Sequence, residues 1–140
     1  MINRAIRILM QKYKTNCPFE IAKLRGIILR FEDLGDSTFG MYYTKFRQRY
    51  IVINNKISEE WQRVVCAHEL GHDLLHFGVN RFFVDSHTFF LSAKQERQAN
   101  IFAVQLLTAN DTIYDGESVF NYFCRIKIPD EMVSYYKGVS

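Results

Sequence analysis

The sequence is poor in the residues that interrupt or cross-link a chain. Its 140 residues include 2 prolines, 7 glycines and 3 cysteines. So few prolines and glycines exclude collagen-like repeats and low-complexity linkers. The cysteines, Cys17, Cys66 and Cys124, are odd in number, widely spaced and form no CxxC pair. This pattern argues against a disulfide framework and predicts a reducing compartment.

Long apolar runs and a strong excess of one charge are also missing. The uninterrupted apolar runs are a few residues long, far below the about 20 that cross a bilayer. The net charge is only +3, from 18 Lys+Arg against 15 Asp+Glu. Lys45, Arg47 and Arg49 form the densest basic stretch, whose alternation is more typical of the solvated face of a strand than of a nucleic-acid surface. We therefore expect a cytoplasmic protein that binds neither membranes nor nucleic acid directly.

Hydrophobic residues make up 48% of the chain, charged residues 24% and aromatic residues 15%. These values and the length predict one globular domain, residues 1–140, with a dense core or an aromatic-lined cleft. The order of periodic segments predicts an α+β domain, in which a small mixed or antiparallel sheet packs on helices and short helices end the chain. We expect helices at 2–14, 18–26, 59–77, 92–108, 117–125 and 130–137, strands at 27–34, 39–43 and 49–54, and no clear periodicity over 79–91.

The segment His68-Glu69-Leu70-Gly71-His72 carries the strongest chemical signal. Two histidines four positions apart lie on one face of a helix, so both imidazoles can reach one tetrahedral zinc ion. Glu69 then lies beside the metal, where a general base would take a proton from the attacking water. The alternative is an ordinary buried helix with two hydrogen-bonded histidines. Gly71 costs a helix about 1 kcal/mol relative to alanine, which we attribute to another backbone passing close by.

A hydrolytic zinc site needs a third protein ligand, preferably on an element that packs against the first helix. Glu96 begins a helical stripe that contains the small residues Ala99 and Ala103, so this stripe can approach closely. Asn100, one turn beyond Glu96, could hold an imidazole N–H or the carboxylate. Alternatively, Glu96 only favours the start of its helix. His76 is a rival ligand, although it lies one more turn along the helix and is rotated about 40° further.

Three further residues are candidates for contact with the substrate or the oxyanion. His87 lies in an irregular, phenylalanine-rich stretch and could line the cleft. The same role is open to Tyr114 and Tyr42. The alternative for His87 is a surface or packing histidine, and the neighbouring phenylalanines could belong to the core.

The two motifs together resemble the ImmA/IrrE family of metallopeptidases. His68–His72 is similar to the family's HELGH helix, and Glu96–Ala103 is similar to its ExxANxFA helix. The resemblance covers about residues 20–108 as a core, with 110–140 as a C-terminal helical extension. It departs at Thr108-Ala109, where the family usually has Met-Pro. It implies a small zincin-like domain with one zinc ion per chain, bound by His68, His72 and Glu96, and with Glu69 as the catalytic base.

The resemblance also implies a function. It points to a bacterial or phage-encoded endopeptidase that hydrolyses a specific peptide bond in a regulatory protein, most simply a helix-turn-helix repressor of a phage or mobile element. An extended substrate would add a strand to an edge of the sheet, supplied by residues 39–43 or 49–54. One alternative is a zinc-stabilised module that binds a repressor or a toxin-like partner without cutting it. Another is a zinc enzyme that acts on a non-peptide substrate.

Overall fold

The computed structural model describes residues 1–76, 81–84 and 93–138. Helices flank a small sheet, which confirms the predicted α+β class. In chain order the elements are α1 Ile2–Tyr13, α2 Pro18–Leu24, β1 Ile28–Glu32, β2 Thr38–Lys45, β3 Gln48–Asn54, α3 Glu59–Leu75, β4 Arg81–Val84, α4 Ala93–Leu107, α5 Val119–Ile126 and a final 3₁₀ helix, Asp130–Tyr135.

In the part of the chain that the structure describes, the sheet has four strands in the order β1-β3-β2-β4. β1 runs parallel to β3, whereas β2 runs antiparallel to both β3 and β4, so the sheet is mixed as predicted. β2 and β3 each have a neighbour on both sides and have no free edge for another strand. The expectation that residues 39–43 or 49–54 provide the docking edge is therefore wrong. Within the described residues, the outer strands are β1 and β4.

β4 is the element that the sequence did not predict. It lies inside the 79–91 stretch, where hydrophobicity shows no period. Its backbone pairs with β2, from Thr38 opposite Val84 to Tyr42 opposite Arg81. A four-residue outer strand carries little alternation of its own. Hydrogen bonding to a preformed neighbour decides its conformation, and only the tertiary structure reveals that neighbour.

The central helix of the domain is α3. Ser58 caps its N-terminus by accepting a hydrogen bond from the backbone N–H of Trp61 at 3.2 Å. Every residue from Val64 to Asp73 is buried, because the sheet and α4 enclose this stretch. The helix ends at Leu75, two residues before the predicted end, and the backbone N–H of His76 closes it on the carbonyl of His72 at 2.8 Å.

α4 packs closely on α3 through a glycine. A Cβ atom built at Gly71 would lie 3.0 Å from Cδ1 of Phe102 and 3.2 Å from its Cβ. The neighbour at Gly71 is thus an aromatic side chain and not the backbone that we expected. Ala99 and Ala103 are fully buried on the same stripe of α4, so small residues bring the two helices together as their spacing predicted.

The final 3₁₀ helix packs against both α4 and α5. Ser118 caps α5 through the backbone N–H of Asn121 at 3.1 Å, and the last helix is 3₁₀ rather than α-helical. The rings of Tyr122, Phe123 and Tyr136 pack edge to face, with centroids 5.7–6.0 Å apart. Part of the aromatic excess therefore belongs to the core. Among the described residues, every helix is too short or too polar to cross a membrane.

Candidate metal centre

Two helices bring two imidazoles and one carboxylate together in the interior. The Nε2 atoms of His68 and His72 lie 3.1 Å apart. Oε2 of Glu96 is 3.1 Å from Nε2 of His68, and Oε1 is 2.7 Å from Nε2 of His72. Both histidine side chains are fully buried, and that of Glu96 is 18% exposed. The three residues that the sequence singled out as ligands therefore converge on one point.

The hydrogen bonds behind the imidazoles show what this point can hold. Nδ1 of His68 lies 2.7 Å from Oδ1 of Asn100. A carbonyl oxygen only accepts, so Nδ1 carries the proton and the neutral ring directs the lone pair of Nε2 towards Glu96. Electron-pair donors that face one another in a buried site require a cation or a proton between them. Two imidazole nitrogens and a carboxylate are a donor set that suits zinc.

The Glu96 carboxyl is ionised in this environment. Burial raises its pKa, but hydrogen bonds and positive charge from His68 and His72, when a proton rather than a metal ion lies between them and Glu96, outweigh burial and hold the pKa well below its usual range. The carboxylate is the form that binds a metal ion. A proton on an imidazole and a metal cation are thus alternative partners for the same negative charge.

Glu69 lies next to the three converging groups. Its side chain is fully buried, and one of its carboxylate oxygens lies within 4.8 Å of a nitrogen of His68 and of His72. One step along α3 from His68 turns it about 100° around the helix axis. The carboxylate therefore stands beside the centre, where the sequence predicted a base.

The candidates for substrate contact lie in different surroundings. Tyr42 is buried and donates its hydroxyl to Oδ1 of Asp73 at 2.6 Å. Tyr114 is 62% exposed, and its ring lies 3.8 Å from the guanidinium of Arg125. His87 is outside the described residues. A role in oxyanion stabilisation stays a prediction for all three.

Asp73, directly after His72, is the centre of a charge cluster that the sequence did not indicate. It accepts hydrogen bonds from Arg49 at 2.8 Å and from Arg25 at 2.9 Å, in addition to Tyr42. Burial raises the pKa of Asp73, but the Tyr42 hydroxyl and the two guanidinium groups lower it below its ordinary value. Arg49, expected on a solvated face, is thus a partly buried ion-pair partner of the buried Asp73. Asp73 lies on α3, whereas its three partners lie on β2, on β3 and directly after α2, so no local pattern could predict the cluster.

The contact between the side chains of His76 and Gln98 was also not predicted from the sequence. Nδ1 of His76 lies 2.8 Å from Nδ1 of His72, and its Nε2 lies 2.8 Å from Oε1 of Gln98. Both ring nitrogens of His76 are engaged behind His72 and not on the side of Glu96. In this arrangement His76 contacts a predicted ligand instead of being one.

Comparisons with known proteins show which family the chain belongs to. A model of the IrrE N-terminal-like domain, peptidase family M78, matches residues 22–130, which include both motifs. The chain is 35% identical over 138 residues to "Uncharacterized immunity region protein 2" of Bacillus phage phi105, covering 99% of this chain and 75% of the relative. It is 28% identical over 128 residues to "Metallopeptidase ImmA" of Bacillus subtilis strain 168, covering 91% and 75%. No solved structure matches.

Proposed function

The chain belongs to the IrrE N-terminal-like family of M78 peptidases, and on that basis we propose that it is a zinc-dependent endopeptidase. Membership confirms the resemblance that the two motifs indicated, and it supports a peptidase of the metallopeptidase type. We further propose one zinc ion per chain, bound by His68, His72 and Glu96. The observation that carries this proposal is the convergence of both Nε2 atoms and the Glu96 carboxylate within 3.1 Å of one another.

Each residue of the centre has a distinct chemical task in this proposal. A zinc ion held by His68, His72 and Glu96 would lower the pKa of a water molecule towards neutrality and would polarise the scissile carbonyl. Glu69 accepts the proton of the attacking water and returns it to the leaving amine. Burial places this proton transfer away from bulk solvent, which strengthens the electrostatic interactions involved. Asn100 keeps the proton on Nδ1 of His68, so that Nε2 remains available as a ligand.

We propose that the substrate is a protein of phage or mobile-element regulation, most simply a helix-turn-helix repressor. One relative is named an immunity region protein and the other a metallopeptidase, which supports a proteolytic role in that setting. An extended substrate segment would pair with an outer strand. β4 is the better candidate because it lies in the connection between α3 and α4, the two helices that carry the proposed ligands. The proposed place of action is the bacterial cytoplasm, and the proposed unit is the whole 140-residue domain.

Incubation with the repressor encoded beside this gene tests the proposal. The zinc-loaded protein is compared with a chelator-treated sample, with Glu69→Gln and with Glu59→Gln, an exposed glutamate of the same helix. We expect repressor fragments with the wild type and Glu59→Gln. We expect none after chelation, and a rate lower by about 10²–10⁴-fold in Glu69→Gln, because removal of a general base has that effect.

Zinc analysis of the same samples separates catalysis from metal binding. Glu69→Gln should retain one zinc per chain. An intact repressor held in a stable complex would favour the non-proteolytic module instead. Cleavage at the full rate by Glu69→Gln would show that Glu69 is not the base.

A further inference from the structure

His76 stands between a proposed ligand and the neighbouring helix. Its ring links Nδ1 of His72 on α3 to Oε1 of Gln98 on α4, each at 2.8 Å. We propose that His76 is a positioning residue that fixes the tautomer of His72 and directs its Nε2 towards Glu96. This inference rests on the proposed metal-dependent function.

The direction of the hydrogen bonds follows from the groups at the two ends. Nδ1 of His72 faces Nδ1 of His76, so one of these nitrogens carries the proton and the other accepts it. At the far end, Oε1 of Gln98 is a carbonyl oxygen and only accepts. Nε2 of His76 therefore donates to Gln98, and in the neutral ring Nδ1 of His76 accepts from His72.

A hydrogen bond in the opposite direction, from His76 to His72, would prevent His72 from binding a metal ion. If Nδ1 of His72 accepted, the neutral ring would carry its proton on Nε2, 2.7 Å from Oε1 of Glu96. That nitrogen would then have no lone pair for a metal ion. The link to His76 and Gln98 thus selects the tautomer of His72 that a metal site needs, as a carbonyl or carboxylate behind a ligating histidine does elsewhere.

The two proposed histidine ligands are held in parallel ways. His68 donates directly to Asn100 on α4, whereas His72, one turn further along, reaches α4 through His76. Glu96 comes from the same helix. All three proposed ligands are therefore positioned by α4, because Glu96 belongs to this helix and the two histidines are hydrogen-bonded to it. Their mutual distances thus do not depend on α3 alone.

The His76 side chain can be replaced without removing the hydrogen bond that caps α3. The cap uses the backbone N–H of His76, which both His76→Leu and His76→Asn retain. His76→Leu removes the acceptor behind His72. His76→Asn restores it, because Oδ1 of asparagine and Nδ1 of histidine are both attached to Cγ. Gln98→Leu removes the far end of the link, and Gln105→Leu is its matched control, since Gln105 makes an outward hydrogen bond to Asn3 from the same helix.

Competition with a chromophoric chelator measures zinc affinity in the full-length variants. We expect His76→Leu to bind zinc about 10- to 100-fold more weakly than the wild type, the usual effect of losing the partner behind a ligating histidine. His76→Asn should recover most of this loss. Gln98→Leu should bind more weakly than Gln105→Leu. Equal zinc affinity in the wild type and in a folded His76→Leu would overturn the inference.

Two-bond ¹H–¹⁵N spectra of the imidazoles provide a readout that a merely structural role would not move. In the zinc-loaded wild type we expect the His76 proton on Nε2 and the His72 proton on Nδ1. A proton on Nδ1 of His76 would overturn the inference even if His76→Leu does not fold. A wild type that binds no zinc would refute the proposed function, and the inference with it. One zinc per chain with unchanged binding in the variants would refute the inference alone.

Discussion

Nε2 of His72 lies 2.7 Å from Oε1 of Glu96, although the two residues stand on different helices. The contact depends on the close approach of α4 to α3. Gly71 leaves space for the ring of Phe102, and the small side chains of Ala99 and Ala103 let α4 lie close to α3. A carboxylate in the first turn of one helix can therefore meet two imidazoles in the C-terminal half of another.

Removal of Glu96 is expected to weaken metal binding without unfolding the domain. Glu96→Ala leaves two imidazoles to hold the ion, and we expect zinc affinity to fall at least about 100-fold, since a carboxylate ligand and its charge are both lost. Competition with a chelator measures the change, and Glu131→Ala, at an exposed position, is the control. A zinc affinity unaffected by Glu96→Ala would show that the third ligand lies elsewhere.

Substitution of Asp73 is expected to destabilise the domain strongly. Asp73→Asn removes the negative charge that two arginines and Tyr42 share, leaving the guanidinium groups uncompensated. We expect the free energy of unfolding to drop by about 3 kcal/mol. Tyr42→Phe removes only the 2.6 Å hydrogen bond and should cost about 1.5 kcal/mol. Urea unfolding measures both values, and a larger loss for Tyr42→Phe than for Asp73→Asn would contradict the assignment of Asp73 as the centre of the cluster.

The Glu117–Arg125 pair is expected to respond to acid. Hydrogen bonds from the Arg125 guanidinium, and then from the backbone N–H of Tyr114, lower the pKa of Glu117 from 4.5 to about 2. Because the folded-state pKa is depressed, the pair stabilises the folded state fully above pH 4.5 and loses this effect as the pH falls towards about 2. A ¹³C NMR titration of the side-chain carboxyl should show the low pKa in the wild type.

The variant Arg125→Gln provides the matched measurement. It lacks the charge 2.8 Å from Oε1 of Glu117 but keeps the backbone donor of Tyr114. The pKa of Glu117 should therefore move back towards 4.5. An identical titration in both proteins would show that Arg125 does not cause the shift.

A methyl group at Gly40 is expected to disturb the contact between the sheet and α3. A Cβ atom there would lie 2.5 Å from Cγ1 of Val65 and 3.0 Å from the backbone oxygen of Val52. We expect Gly40→Ala to lower the free energy of unfolding by about 1–3 kcal/mol, as overpacking does. In a double-mutant cycle, Val65→Ala should recover part of the loss, since it removes the nearest atom. Strict additivity of the two substitutions would contradict the steric cause.

Much of the fold was predictable because it depends on local patterns. Apolar residues at helical spacing indicated α1, α3 and α4 within one or two residues of their observed bounds. Ser58 and the acidic first turn correctly indicated where α3 begins. The aperiodic stretch that contains β4 offered no such pattern, and strand order cannot be deduced from individual strands. The docking edge was misplaced for that reason.

The candidate site also contains residues that local patterns predicted and residues whose contacts only the tertiary structure revealed. The HExxH spacing placed His68, Glu69 and His72 together, because one turn of helix separates the two histidines. Periodicity alone left open whether Glu96 is a ligand or only favours the start of its helix, and the resemblance to a family favoured the ligand. The link from His76 to Gln98 and the cluster around Asp73 join residues from different elements, so their partners could not be inferred from neighbours in the chain.

The amino-acid sequence by itself determined α1, α3, α4 and the two motifs, since each depends on residues a few positions apart, and the order of the two motifs indicated the family. The tertiary structure decided which groups meet. It brought the Glu96 carboxylate to the histidines, engaged His76 behind His72 and made β2 and β3 internal strands. These results depend on helix–helix packing and strand pairing, in which the free energy of a contact depends on a partner distant in the chain.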